Sequence, residues 1–165
     1  RITFVDTGLN TNIGGRLRKI RAHLGEDELF LASYSDCVTD ADINEMINGF
    51  AGRDNAVASF LCVHPPYSFH TVTLDDSNQV LGIEDVGKSG VWINGGYFIL
   101  RPEIFDYLEA GDELVVEGFS KLYREQRLYA HLHEGFWSCM DTFKEKQHLD
   151  DLLASEKAPW QRRRK

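Results

Sequence analysis

The residues of this chain best suited to chemistry are two aspartates and a polar break in an apolar run. Asp36, in Ser35-Asp36-Cys37, follows the apolar stretch 29–34, and Asp141 closes Gly135-Phe136-Trp137-Ser138-Cys139-Met140-Asp141-Thr142. Between them lies Trp92-Ile93-Asn94-Gly95-Gly96-Tyr97-Phe98, an apolar strand interrupted by one amide and two glycines. Glycine lets a ligand come close to the backbone, asparagine offers both donor and acceptor, and a carboxylate at a strand end can hold a hard cation through oxygen. The pattern reads as a sheet rim that receives a sugar and a metal. An aspartate at a strand end also serves as a turn former or helix cap, and local sequence leaves both readings of Asp36 and Asp141 open.

Other residues admit two readings as well. Gly8, Gly14 and Gly15 precede a helix and would leave backbone amides for an anion or a polar base edge, or simply make a tight turn. His131-Leu132-His133 sets two imidazoles on one face of a strand, a spacing zinc can use, but without a third ligand they read as ordinary histidines. Asp40-Ala41-Asp42 has the look of an acidic metal triplet, yet Thr39 before it predicts a helix start with the acids on the favourable dipole end. Cys37 is not expected to be a nucleophile, because a neighbouring carboxylate opposes the thiolate.

Periodicity supplies the elements that must position these groups. Strands are predicted over 2–5, 29–34, 56–63, 91–100 and 128–133, with a hairpin over 69–74 and 79–83. Helices are predicted over 15–24, after Thr39 with Ile43, Met46, Ile47 and Phe50 on one face, over 102–108 and 114–125, and over 142–153. The alternation of strand and helix argues for an α/β fold with a mostly parallel sheet. In such sheets ligands sit outside the carboxyl ends of strands, where Asp36 and Asp141 fall.

The segments around Asp36, Asn94 and Asp141, together with Val5-Asp6-Thr7-Gly8 and Gly14-Gly15-Arg16-Leu17, resemble the sugar-1-phosphate nucleotidyltransferases, and among them the glucose-1-phosphate cytidylyltransferases, up to about Trp160. The resemblance implies a Rossmann-like nucleotidyltransferase sheet, mostly parallel but mixed, with an antiparallel insertion. It also implies an incomplete N-terminus, since the family opens with a Gly-rich phosphate loop ending in Arg and a Lys-Pro segment, whereas this chain begins at Arg1. The implied reaction is attack of a sugar-1-phosphate oxygen on the α-phosphorus of a nucleoside triphosphate with release of pyrophosphate; CTP and glucose-1-phosphate are the expected substrates and CDP-glucose the product. Mg2+ is the implied cofactor, with Asp36 and Asp141 as its ligands and the catalytic pair. Gly14, Gly15 and Arg16 would face the nucleobase, and Asn94, Gly95 and Glu117 the sugar. Lys88 would hold the sugar phosphate, because Glu84-Asp85-Val86 stands where the family has Glu-Lys-Pro. Ser68 replaces an arginine after Pro65-Pro66, Ser35 and Cys37 flank Asp36 where the family has glycines, and Ile13 replaces a threonine. Without the phosphate loop, this chain alone is expected to show little transfer.

Composition bounds the rest. A chain of 165 residues, 42% hydrophobic and 12% aromatic, has enough apolar residues for one core, so a single domain over 1–165 is expected, ending in a basic tail at 161–165. A net charge of −8 argues against a nucleic-acid partner. No stretch is apolar enough to span a membrane, and three widely spaced cysteines suit a reducing cytoplasm. Self-association into a homo-oligomer is compatible with the resemblance. Two other readings remain: a catalytically silent nucleotidyltransferase-like binding or assembly module, and a metal-dependent glycosyltransferase using Asp40 and Asp42.

Overall fold

The computed structural model describes residues 1–161; the basic cluster Arg162, Arg163, Arg164 and Lys165 lies outside the described residues. The chain divides into two compact units, one of residues 1–32, 44–60 and 98–130, the other of 33–43, 61–97 and 131–165. The strands β1 (Phe30–Ser33), β3 (Ala58–Val63), β6 (Ile93–Leu100) and β7 (Leu128–His133) form a sheet in the order β1-β6-β3-β7. It is a mixed sheet, mainly parallel with antiparallel strands, in an α/β fold. Two further pairs stand apart from it: β2 (Cys37–Thr39) with β8 (Trp137–Cys139), and β4 (His70–Leu74) with β5 (Val80–Asp85), both antiparallel. No helix among the described residues is long and apolar enough to cross a membrane.

In the first unit, α1 (Ile13–Ile20) starts where Asn12 accepts a hydrogen bond from the Gly15 amide at 2.8 Å, and a 3-10 turn over Arg21–His23 ends it. Leu17 faces inward from α1, while Met46 and Phe50 do so from α2 (Ile43–Ala51), in keeping with helical spacing. Two aromatic clusters fill this unit: Phe30 stacks on Phe105 at 5.8 Å, and Phe119 packs against Phe60 at 5.6 Å and Phe98 at 5.9 Å. Phe119 opens α3 (Phe119–Arg124), which follows a π turn over Leu114–Gly118 instead of forming one helix from 114. The Glu113 carboxylate accepts from the amides of Val115 and Val116 and thereby starts that turn.

In the second unit, α4 (Phe143–Ala154) begins with a reciprocal cap: the Thr142 hydroxyl accepts from the Glu145 amide and the Glu145 carboxylate accepts from the Thr142 amide. Leu149 is buried from this helix, alongside Leu61, Val63 and Trp137. The β4–β5 hairpin is the predicted antiparallel insertion, its loop held by Asp75, whose carboxylate accepts from the amides of Ser77 and Gln79.

Two expectations are corrected. Residues 2–5 do not form a strand; Ile2 and Phe4 are 81% and 93% exposed. An apolar run becomes a strand only when a neighbour satisfies its amides and carbonyls, and among the described residues no strand pairs with it. Thr39 does not cap α2, which starts at Ile43; Thr39 lies in β2, donates its hydroxyl to the Phe136 carbonyl and accepts from the Ala41 amide. The tertiary ladder has overridden a local capping signal.

Gly14 shows how tightly the first unit is closed, since a Cβ there would sit 2.3 Å from the Asp112 carbonyl oxygen. Gly49, in α2, faces open space. Gly14→Ala is therefore expected to destabilise by about 1–3 kcal/mol through overpacking, and Gly49→Ala to stabilise by roughly 0.5–1 kcal/mol through helix propensity. Urea unfolding of both variants checks this; a Gly14→Ala midpoint at or above that of the parent protein contradicts the close packing.

Candidate active site

Three residue pairs set the geometry. In the β2–β8 ladder Cys37 stands opposite Cys139, Val38 opposite Ser138 and Thr39 opposite Trp137. Because the strands are antiparallel, Asp36 just before β2 and Asp141 just after β8 come to the same end, and the Met140 amide donates to the Asp36 carbonyl at 2.9 Å. Asp36 is half-buried and Asp141 exposed. The Trp137 indole donates to the Gly95 carbonyl at 2.7 Å, and the Tyr97 hydroxyl donates to the Cys37 carbonyl at 2.8 Å. These bonds tie the ladder to the segment carrying Asn94 and Gly95.

A ligand atom from each of Cys139, Asp141 and Glu145 lies within 4.8 Å of the others. Glu145 and Cys139 were not read from the sequence as site residues, although Thr142-x-x-Glu145 is a legible capping pattern that places Glu145 one turn from Asp141. The oxygen donors of Asp141 and Glu145 suit a hard cation such as Mg2+, which also recruits substrate phosphates, while the Asp36 carboxylate is not one of these three. The thiol does not suit it.

The thiols are held protonated. The Cys37 thiol is pushed up to about 12, first by burial, then by its hydrogen bond to Asp36 and the charges of Asp36, Cys139 and Asp141. Its sulfur lies 3.3 Å from Asp36 Oδ1. Cys139 is raised mainly by burial and also hydrogen-bonds Asp141, and the Tyr67 hydroxyl, 3.5 Å from the Cys139 sulfur, is pushed up to about 12 chiefly by that contact. Each thiol therefore bonds one carboxylate of the candidate pair.

Asn94 accepts from the Gly96 amide at 2.9 Å, which fixes its side chain at the start of β6. Gly96 has φ +75°, and a Cβ there would meet the Tyr34 ring at 2.8 Å, so only glycine fits. Asp85 has a structural job in this chain: its carboxylate accepts from the Gly87 amide at 2.8 Å and caps the 3-10 turn Val86–Lys88, which ends on the exposed Lys88. Within the second unit a cavity of about 850 Å³ is lined by residues that include His64, Tyr67, His133, Cys139, Glu145 and His148.

The acidic pair beyond Thr39 does not cap a helix through Asp40. Its carboxylate lies 2.7 Å from His133 Nε2 and accepts from the Phe136 amide at 2.8 Å, holding the approach to β8. His133 is thereby engaged with a carboxylate.

Gly14, Gly15, Arg16 and Glu117 belong to the first unit. The Arg16 guanidinium donates to the Thr7 hydroxyl at 2.7 Å and the Leu9 carbonyl at 3.2 Å, folding residues 7–9 over the start of α1. Glu117 accepts from the Glu113 amide at 2.8 Å within the π turn.

The raised Cys37 thiol makes stability depend on pH. Below the ordinary thiol value of 9.0, both folded and unfolded chains keep the proton and its stabilisation is fully present; between 9.0 and about 12 the unfolded chain ionises first and stability is lost. The urea midpoint is expected to fall as pH rises from 8 to 11, and Cys37→Ala to reduce that slope; an unchanged slope contradicts the assignment.

Comparison with known proteins bears on this geometry. No protein-family model matches the chain. It is 34% identical over 161 residues to glucose-1-phosphate cytidylyltransferase of Salmonella typhi, and equally to that of Salmonella typhimurium, covering 96% of this chain. The chain spans 62% of the length of those two relatives. Among solved structures, a Bacillus anthracis protein named as a glucose-1-phosphate thymidylyltransferase, in complex with a sucrose, superposes with a TM-score of 0.63 at 16% identity, over 86% of this chain and 60% of its own. HddC from Yersinia pseudotuberculosis superposes with a TM-score of 0.59 at 15% identity, over 86% of this chain and 62% of its own. At those identities the two structures speak for the fold alone. Over nearly its whole length the chain is similar in sequence to these glucose-1-phosphate cytidylyltransferases.

Proposed function

We propose that the polypeptide carrying this chain is a Mg2+-dependent sugar-1-phosphate nucleotidyltransferase that forms an NDP-sugar and pyrophosphate, with CTP and glucose-1-phosphate as substrates and CDP-glucose as product. The observation that supports it is the β2–β8 register, which carries Asp36 and Asp141 to one end of a ladder.

The reaction joins two polyanions. A sugar phosphate oxygen is already a nucleophile and needs no base, so the protein must hold the reactants in line and offset their charge. Mg2+, when bound, supplies that charge on the phosphate oxygens. Asp36 and Asp141 would hold it, with Glu145 beside them. Asn94 and the Gly95 backbone would take sugar hydroxyls, as Glu117 would on its own unit. Gly14, Gly15 and Arg16 would meet the nucleobase, and Lys88 the sugar phosphate. Three free cysteines suit a reducing cytoplasm, and an NDP-sugar is the donor that polysaccharide synthesis consumes.

One observation favours a second reading. Asp85, which stands where the resemblance implies a lysine, serves as a turn cap, as fits a module that binds a sugar nucleotide without turning it over. Pyrophosphate release separates the two. On the longest polypeptide the gene encodes, the enzyme reading expects Mg2+-dependent release from CTP and glucose-1-phosphate, and a loss of at least about 100-fold in kcat/KM for Asp36→Asn and for Asp141→Asn. Binding of CDP-glucose by calorimetry with no release from any nucleotide and sugar phosphate pair favours the silent module instead.

A further inference from the structure

Cys37 and Cys139 are directly opposite one another across the β2–β8 ladder. The hydrogen bonds on either side settle which kind of pair they make. Met140 N donates to Asp36 O at 2.9 Å, and Asp40 N donates to Phe136 O at 3.1 Å, so the hydrogen-bonded pairs are 36 with 140 and 40 with 136. Alternation along an antiparallel ladder then makes 37 with 139 a non-hydrogen-bonded pair, whose Cα atoms stand about 4.5 Å apart with side chains on the same face. That separation lies within the range of about 4.4–6.8 Å that a disulfide spans. Both sulfurs are free thiols here, and each hydrogen-bonds the carboxylate next to it, Cys37 to Asp36 and Cys139 to Asp141.

We propose that Cys37 and Cys139 are a redox-modification site, a dithiol that closes to a cross-strand disulfide between the two carboxylates of the candidate cation site. The co-reactant is a low-molecular-weight disulfide such as oxidised glutathione, and because the attacking species is the thiolate, the hold on both protons makes the exchange slow at neutral pH, so the pair is read at equilibrium. The two protein thiols give up two protons and two electrons as their S–S bond forms, and the glutathione disulfide is cleaved to two glutathione thiols. Cys139 is 4% exposed but lines the cavity of about 850 Å³, which gives the oxidant its approach. Cys62, buried in β3, has no cysteine opposite it and stays reduced. Oxidation takes both thiol donors away from Asp36 and Asp141 in one step, so the redox state of the pair is written into the hydrogen bonding of those carboxylates. The inference rests on the register of the ladder and not on the transfer reaction, so the two can fail separately.

The test equilibrates the folded protein in glutathione buffers of increasing oxidised fraction, quenches with an alkylating agent under denaturing conditions and counts unmodified thiols. The count is expected to fall from three per chain to one, with a peptide pair joined through Cys37 and Cys139 by mass spectrometry. In a Cys62→Ser variant, whose folding is checked by circular dichroism, it falls from two to none; if that variant does not fold, the peptide map of the parent protein decides. Three thiols persisting in fully oxidised glutathione, glutathione attached to either cysteine without the cross-link, or a cross-link through Cys62 would each overturn the proposal.

Discussion

Everything proposed for this protein depends on one short antiparallel ladder. Three residues of β2 pair with three of β8, separated by about a hundred positions in sequence, and the register decides where two carboxylates stand. A slip of one residue would turn every side chain of one strand to the opposite face. Several bonds oppose such a slip: the Met140 amide on the Asp36 carbonyl, the Asp40 amide on the Phe136 carbonyl, and the Asp40 carboxylate on both the Phe136 amide and His133. The burial of Trp137, with its indole bonded to Gly95, anchors the far end. The register is thus fixed by backbone hydrogen bonds, by the Asp40 carboxylate and by the burial of Trp137.

The environment at the end of the ladder is electrostatically loaded. Asp141 and Glu145 bring negative charge together, Asp36 adds its own beside Cys37, and the neighbouring thiols keep their protons and donate to carboxylate oxygen. Carboxylates brought close together repel one another, and the thiol hydrogen bonds relieve part of that repulsion. Cys37 has a physical role here: it supplies a hydrogen-bond donor to Asp36. Asp85 shows the same logic on a smaller scale, since its carboxylate satisfies the Gly87 amide in the turn that leads to Lys88.

Much of this was legible in the sequence. The i, i+3, i+4, i+7 spacing of Ile43, Met46, Ile47 and Phe50 marked α2, and the runs at 56–63, 91–100 and 128–133 marked three strands of the sheet, because long periodic segments carry their own signal. The motif words around Asp36 and Asp141 pointed to the sugar-1-phosphate nucleotidyltransferases, a likeness that the homology to the cytidylyltransferases supports. What escaped were features that exist only in three dimensions. Strands of three residues have no usable period, so β2 was absorbed into a helix cap at Thr39. The strand reading of residues 2–5 counted apolar residues but could not supply a neighbour. The Asp40–His133 contact and the Cys37–Cys139 register join residues about a hundred positions apart, and no local pattern announces them.

The central claim is that the ladder brings Asp36 and Asp141 to a single cation. Titration with Mn2+, a paramagnetic substitute for Mg2+, followed by NMR of the amide signals, tests it most directly. The account predicts that signals of residues 36–38 and 139–142 broaden together at the same sub-stoichiometric Mn2+, and that Asp36→Asn weakens the broadening at 139–142 as well as at its own segment. Broadening confined to one of the two segments, or left intact at 139–142 in Asp36→Asn, would contradict it.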